Sequence, residues 1–474
     1  MNSMANANLI RVKEFLKKYK APLVLSILTV LIFTAFIFKD MVTIASVAVV
    51  AMMVLCSLEE QICLIMYLAV FSGRSPIYIV SVLFCFVTLA VRYVIEAIKK
   101  EKPVYKKQLI LTALIVVVFT IVHHSVSTEG FYNWAMFVCL IWFAYFAVIY
   151  HNEINLHKAF KTLILAIFVS AALGVVGYFT GLVKEVYYYD DVVHRLRLFT
   201  LNVNHLAMFS AFSIAYIISL VIKKDFSSGD FKFLKDKHFW FRMFYLAALV
   251  VVGLLTMSKA FLLVVLFMAI YALVFVVLKY RVKSLWFVLV VCLCGGLVCL
   301  VAYDYVSAVL NRFVAYDSWN GLLSKITTGR SEIWVMYLKE FANSVWNILF
   351  GVGLLTTDLI SKGPHNVFIY LIYRVGIVGL LMIGVLIYFY IRQAKGKFKF
   401  SFGGLLLLLV YMFFALEEMV LSDRFFLFLI FGIMMLLKND EPLTEQENYT
   451  KIDKKFSEED KNTHKTDNNF KNIS

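Results

Sequence analysis

Residues 76–98 read PIYIVSVLFCFVTLAVRYVIEAI, and residues 99–107 after them read KKEKPVYKK. The first stretch carries only two charges, Arg92 and Glu96. A helix needs ~20 mostly apolar residues to cross ~30 Å of hydrocarbon. So apolar a stretch, closed by a cluster of lysines, predicts a membrane span and a retained basic loop. Arg92 and Glu96 stand four apart on one helix face, so they neutralise each other.

Working outward, the same unit recurs along the chain. Apolar runs fall at 21–38, 41–57, 61–72, 76–98, 108–125, 131–150, 158–180, 201–222, 239–256, 259–279, 284–302, 365–391, 402–418 and 423–437. Of 474 residues, 62% are apolar and 16% are charged, where a soluble chain carries roughly 25% charge. That balance excludes a soluble enzyme, a disordered scaffold and a disulfide-stapled secreted domain. The predicted fold is all-α: a polytopic membrane protein with 12–14 transmembrane helices, about 14, spanning 21–437. Residues 1–20 form a basic N-terminus that leads into a retained first span, without a cleavage site. Residues 438–474 are polar and charged, and are expected to be a disordered tail.

The net charge of +15 follows the membrane rather than nucleic acid. With the N-terminus cytoplasmic and the runs alternating, 32 of the 46 Lys and Arg fall in cytoplasmic segments, which is the positive-inside pattern. Removing the short run 61–72 would put the Lys-rich loops after it outside. That run is therefore expected to cross, tilted or beside a thinned bilayer. Both termini are then cytoplasmic. All seven cysteines lie in apolar runs and read as small core residues rather than metal ligands or disulfides.

External connections are short except at about 181–200 and 303–364. A connection as long as the second is usually functional. Its segment 332–341, EIWVMYLKEF, has helical patterning, which predicts one or two short helices along the outer membrane face. Cations occur in these two loops and at the Ser258-Lys259 corner. Arg195, Arg197, Lys259 and Arg330 are not placed there by topology, and an anionic ligand is the simplest reason for them. The alternative is local pairing, with Asp190 and Asp191 for the first two and Glu332 for Arg330. Lys259 has no acidic neighbour in sequence.

Gly363-Pro364-His365-Asn366 marks the turn from the long loop into an apolar helix. His365 then sits near a helix start, where the dipole disfavours imidazolium. A neutral imidazole is what a general base requires; a boundary histidine bonded to a carbonyl is the plain alternative. His123-His124 ends a span without further ligands, and Glu417-Glu418 with Asp423-Arg424 reads as an ion-pair turn. No Asp, Glu and His cluster with metal-ligand spacing stands outside.

The order of these features resembles the O-antigen polymerase and O-antigen ligase family of bacterial envelope glycosyltransferases. The matching stretches are Arg195 to His205 (RLRLFTLNVNH), Thr256 to Lys259 (TMSK), Thr328 to Trp334 (TGRSEIW), Leu349 to Gly353 (LFGVG), His365 to Ile369 (HNVFI) and Gly376 to Leu381 (GIVGLL). The resemblance covers about 150–437. The family commonly has Ser-Arg where this chain has Ser258-Lys259, so bidentate phosphate binding does not carry over at that point.

The resemblance implies an enzyme of the bacterial plasma membrane with its active site on the external face. Its donor and acceptor would be oligosaccharides linked to undecaprenyl diphosphate, joined without metal or other cofactor. A chain-length regulator is an expected partner. His365 is implied as the base, Arg195 or Arg197 as the clamp on the diphosphate, and Lys259 as a weaker one. Arg330, Asn204 and Asn366 complete the implied substrate contacts. A capsule or exopolysaccharide polymerase is the expected activity. A ligase that passes finished glycan to another acceptor is the alternative within the family. A flippase for the lipid-linked unit is the alternative of another class, but it would carry its cations within the spans.

Overall fold

The structure is a computed structural model that describes residues 2–99, 105–183, 186–190, 193–222, 235–280, 303, 307, 330–356, 360, 363–393, 402–416 and 423–438. The described chain is mostly helical. In order it forms α1 (Asn2–Ile37), α2 (Met41–Val54), α3 (Leu58–Val70), α4 (Ser75–Ile98), α5 (Lys106–Ile121), α6 (Thr128–Ile149) and α7 (Leu156–Phe179). A β-hairpin follows, β1 (Tyr187–Asp190) and β2 (Val193–Leu196), then α8 (Val203–Leu220), α9 (Lys237–Leu255) and α10 (Lys259–Tyr280). Within the long connection lie α11 (Arg330–Phe341) and α12 (Val345–Phe350), and after it come α13 (Val367–Gln393), α14 (Phe402–Leu416) and α15 (Asp423–Lys438).

Among the described residues, seven helices are long and apolar enough to cross a membrane: α1 from Lys20, α4, α6 from Gly130, α7, α8, α9 and α13. Four shorter apolar helices accompany them, in α2, α10, α14 and α15. Thirteen of the expected apolar runs coincide with helices; the run 284–302 lies outside the described residues, as do the tail from 439 and Glu417-Glu418. Leu23, Ile27 and Val30 on α1 and Trp240, Phe241 and Phe244 on α9 are exposed. Apolar surface of that extent in a stable fold needs a non-aqueous neighbour.

Two helices form the centre. Every residue of α3 from Gln61 to Val70 is buried, and α7 and α4 pack against it. A helix that is apolar all round must be enclosed, and α3 is. Its 13 residues rise only ~20 Å. On its flanks α3 meets protein. Ser57 caps it in a reciprocal box with Glu60, which defines its first turn. The second central helix, α8, is buried from Val203 to Ile217.

The helices run alternately between two ends. At one end, Gly73 N–H donates to the Phe199 carbonyl at 2.7 Å, and Arg74 donates to the carbonyls of Ala35 and Phe36 at 3.1 and 2.8 Å. That end carries the hairpin and is called the hairpin end below. At the opposite end, Lys20 meets Glu60 at 2.9 Å and Lys158 meets Glu59 at 2.8 Å. There Arg92 bridges Glu96 at 2.7 Å and Glu153 at 2.6 Å. The expected Arg92–Glu96 pair is thus present, and a third charge joins it from the loop after α6.

The long connection is not only a surface feature. Residues Gly351 to Thr356 are buried and insert beside a break in α13. At Gly376 the helix adopts φ 65°, ψ −172°, a region essentially restricted to glycine. The break leaves carbonyls without helical partners, and the inserted segment supplies donors. Val352 N–H donates to Tyr373 O and Gly353 N–H to Arg374 O, both at 2.9 Å. Irregular backbone at such depth is tolerated only where protein or a water-filled cavity covers it. A side chain on Gly376 would stand 2.4 Å from the Leu349 carbonyl oxygen, and one on Gly351 would stand 2.4 Å from Arg374 backbone. Two strained glycine positions thus face each other across one junction.

Candidate functional site

The hairpin end gathers the candidate residues in two groups. The first begins with the hairpin itself, which pairs Tyr188 with Arg195 and Asp190 with Val193. Tyr and Val have high strand propensity, which suits a short ladder. The chain leaves β2 through Leu198 at φ 52°, with Arg197 N–H and Leu198 N–H both donating to Val186 O at 3.0 Å. Phe199 then wedges its ring among Phe33, Phe36 and Phe71, which fixes the hairpin to α1 and α3. Thr200 donates to the Arg197 and Asn202 carbonyls at 2.7 and 2.9 Å, and Asn202 caps α8. Every step from Leu196 to α8 is anchored.

This anchoring aims Arg195. Its Nε donates to the Thr256 carbonyl at 3.0 Å, and its Nη2 donates to Asn204 Oδ1 at 3.0 Å. Both acceptors are neutral oxygens, and the two bonds orient the guanidinium. Thr256 belongs to the tight corner between α9 and α10, with Met257 at φ 53°. Ser258 closes the corner by accepting from Phe261 N–H at 3.4 Å. Lys259 is the first residue of α10, and its Nζ is shielded from solvent. A cation at a helix N-terminus opposes the helix dipole. The fold therefore brings Arg195, Asn204 and Lys259 to one junction. Arg197 lies two residues along, half-buried, with its Nε also shielded. His205, next to Asn204, is buried against Phe209.

The second group forms around the start of α13. His365 has φ 50° and precedes Asn366, whose Oδ1 accepts from Phe368 and Ile369 N–H at 3.0 and 3.1 Å. Asn366 Nδ2 donates to Ala415 O at the end of α14, at 3.0 Å. Asn366 is thus the N-cap that fixes where His365 leaves the helix, a structural duty beside the substrate contact expected for it. Trp334 on α11 donates from its indole to Pro364 O at 2.6 Å. Arg330 stands four residues earlier, hence on the same face of α11 as Trp334.

Leu198, Met257 and His365 are the non-glycine residues with positive φ among the described residues. Each lies within or beside one of the two groups. Such conformations are costly and concentrate where function needs them. Trp334 and Arg374 were not among the expected site residues. Arg374 is buried at 1% exposure; Nη1 donates to Gly353 O and Thr356 O, and its guanidinium packs on Tyr370 and Tyr373. A lone arginine within an apolar run is the available signal, because an intramembrane charge needs a partner. His124 bonds Asn347 Oδ1 at 2.8 Å and holds α12 to the end of α5. Among the described residues, no group of three or more His, Cys, Asp or Glu stands in a metal-binding arrangement. No family model matches this chain, and comparison with curated proteins finds no match.

Proposed function

We propose that the protein is a bacterial plasma-membrane glycosyltransferase with about 14 spans and cytoplasmic termini, whose hairpin end faces outward. It polymerises oligosaccharide repeat units carried on undecaprenyl diphosphate. The observation that carries this reading is the Arg195–Thr256 hydrogen bond, which sets a guanidinium beside the corner that launches α10 with Lys259. Two cations drawn to one junction, one of them against a helix dipole, favour an anionic ligand.

The chemistry follows from those charges. The donor sugar leaves a lipid diphosphate, on which negative charge grows as its glycosidic C–O bond breaks. Arg195 and Lys259, with Arg197, stabilise that charge where water is scarce. His365 takes the proton from the acceptor hydroxyl as its oxygen bonds to the anomeric carbon. The lipid diphosphate departs from the opposite face, so the linkage inverts. Asn204 holds Arg195 in orientation, and Trp334 and Asn366 hold His365. The expected chain-length regulator would act on how long the product stays bound.

The test is purified protein in lipid with a synthetic lipid-diphosphate repeat unit, with and without a chelator. A ladder of products in both conditions supports the reading. Transfer to a foreign acceptor without a ladder, or movement of intact donor across the bilayer, overturns it.

A further inference from the structure

At the end opposite the hairpin, α1, α3 and α7 enclose a cavity of about 60 Å³. On this scale a single water needs ~10–15 Å³, so a phosphate-sized group fits. Lys20, Glu60 and Lys158 stand at its polar rim, and Val24, Leu25 and Leu64 line it with apolar surface. Lys20 Nζ donates to Glu60 Oε2 and to the Leu55 carbonyl, each at 2.9 Å. Lys158 Nζ donates to Glu59 Oε1 at 2.8 Å. Both ion pairs are part-exposed, so each holds weakly, and an anionic phosphodiester can compete with the carboxylates for the ammonium protons.

The surroundings point to where such an anion comes from. Leu23 and Ile27 on α1 and Leu165 on α7 are exposed apolar residues on two of the helices that line the cavity. Their helices flank the cavity with surface suited to acyl chains. Four more cations, Arg11, Lys13, Lys17 and Lys18, lie in the turns of α1 that precede Lys20, against the single acid Glu14. Lys161 lies one turn beyond Lys158 on α7. A basic cluster directly beside a span is drawn to anionic lipid.

We propose that this cavity binds the headgroup of an anionic phospholipid. Its phosphate oxygens lie on Lys20 and Lys158, and its acyl chains run along Leu23 and Ile27. Glu59 and Glu60 are the internal counterions with which the phosphate competes. A zwitterionic lipid lacks the net charge that drives the exchange. Inorganic phosphate has the charge but no chains to bury beside α1.

The test is native mass spectrometry of the full chain in detergent, titrated with phosphatidylglycerol, phosphatidylethanolamine or inorganic phosphate. Phosphatidylglycerol is expected to bind most tightly. The Lys20→Gln/Lys158→Gln variant should weaken it by roughly fivefold per lysine removed. The Glu59→Gln/Glu60→Gln variant frees both lysines while glutamine keeps the α3 capping box, and it should bind phosphatidylglycerol several-fold more tightly. A misfolded variant cannot give that gain. Equal binding of the two lipids, equal binding of phosphate alone, or no gain in the glutamine variant overturns the proposal.

Discussion

The guanidinium of Arg374 holds the carbonyl of Thr356 at 2.6 Å. The same nitrogen also takes the Gly353 carbonyl at 3.1 Å, so one buried cation ties the inserted segment to the broken helix α13. Arg374→Leu should therefore leave two buried carbonyls unsatisfied, each costing ~1–3 kcal/mol. Thermal melting in detergent should show a large loss of stability. Arg374→Lys should recover part of it, because an ammonium still donates but cannot reproduce the planar fork. A melting point unchanged in Arg374→Leu would show that the insertion is held by other means.

The facing glycines make a separate prediction. Gly376→Ala forces a side chain into a backbone region that costs ~1–3 kcal/mol, and its Cβ would lie 2.4 Å from the Leu349 carbonyl oxygen. Gly384, in the same helix, has nothing within 4 Å of an added Cβ. Gly384→Ala should therefore leave folding intact or slightly improved, with helix propensity adding ~1 kcal/mol. Yield and melting temperature of the two variants, compared side by side, test whether the break in α13 is required.

Much of this architecture is legible in the sequence. The apolar runs and their Lys-rich connections are long-range signals of a solvent, and they identify helices at nearly the right limits. The short run 61–72 is legible as a crossing element but not as a central one, since a helix enclosed by protein and one facing lipid are equally apolar. The hairpin at 187–196 is missed as strand because four-residue strands carry too little periodicity to register. The insertion at 351–356 is missed because its burial depends on tertiary partners, the Tyr373 and Arg374 carbonyls. For the site, residue types at Arg195, Lys259 and His365 are readable. That Asn204 and Thr256 hold Arg195 is a tertiary fact, as is the use of Trp334 to fix Pro364.

Those tertiary bonds set an expectation for Arg195 that charge alone would not. Lysine keeps the positive charge, but its single nitrogen cannot reproduce the planar Nε and Nη2 fork that serves Thr256 O and Asn204 Oδ1. Arg195→Lys should lose most of the product ladder formed by the wild type, nearly as much as Arg195→Ala. A single transition-state donor is typically worth ~10²–10³ in rate. Asn204→Ala should lose less, because Thr256 O still orients the guanidinium. If Arg195→Lys polymerises at the wild-type rate, the residue supplies charge only and the geometry at Thr256 is incidental.

His365 separates stability from activity. Its φ of 50° is costly for a residue with a Cβ, by ~1–2 kcal/mol, and glycine would adopt it freely. His365→Gly should therefore melt at or slightly above the wild-type temperature, since Asn366 still caps α13. The same variant lacks an imidazole and should give no polymer from the synthetic donor. His365→Asn tolerates the left-handed backbone as well and should be equally inactive. Folding is then preserved in two variants while the proton acceptor is removed in both. Polymer from either variant would remove His365 from the mechanism. Loss of folding in His365→Gly would show that the imidazole holds the corner rather than serving the reaction.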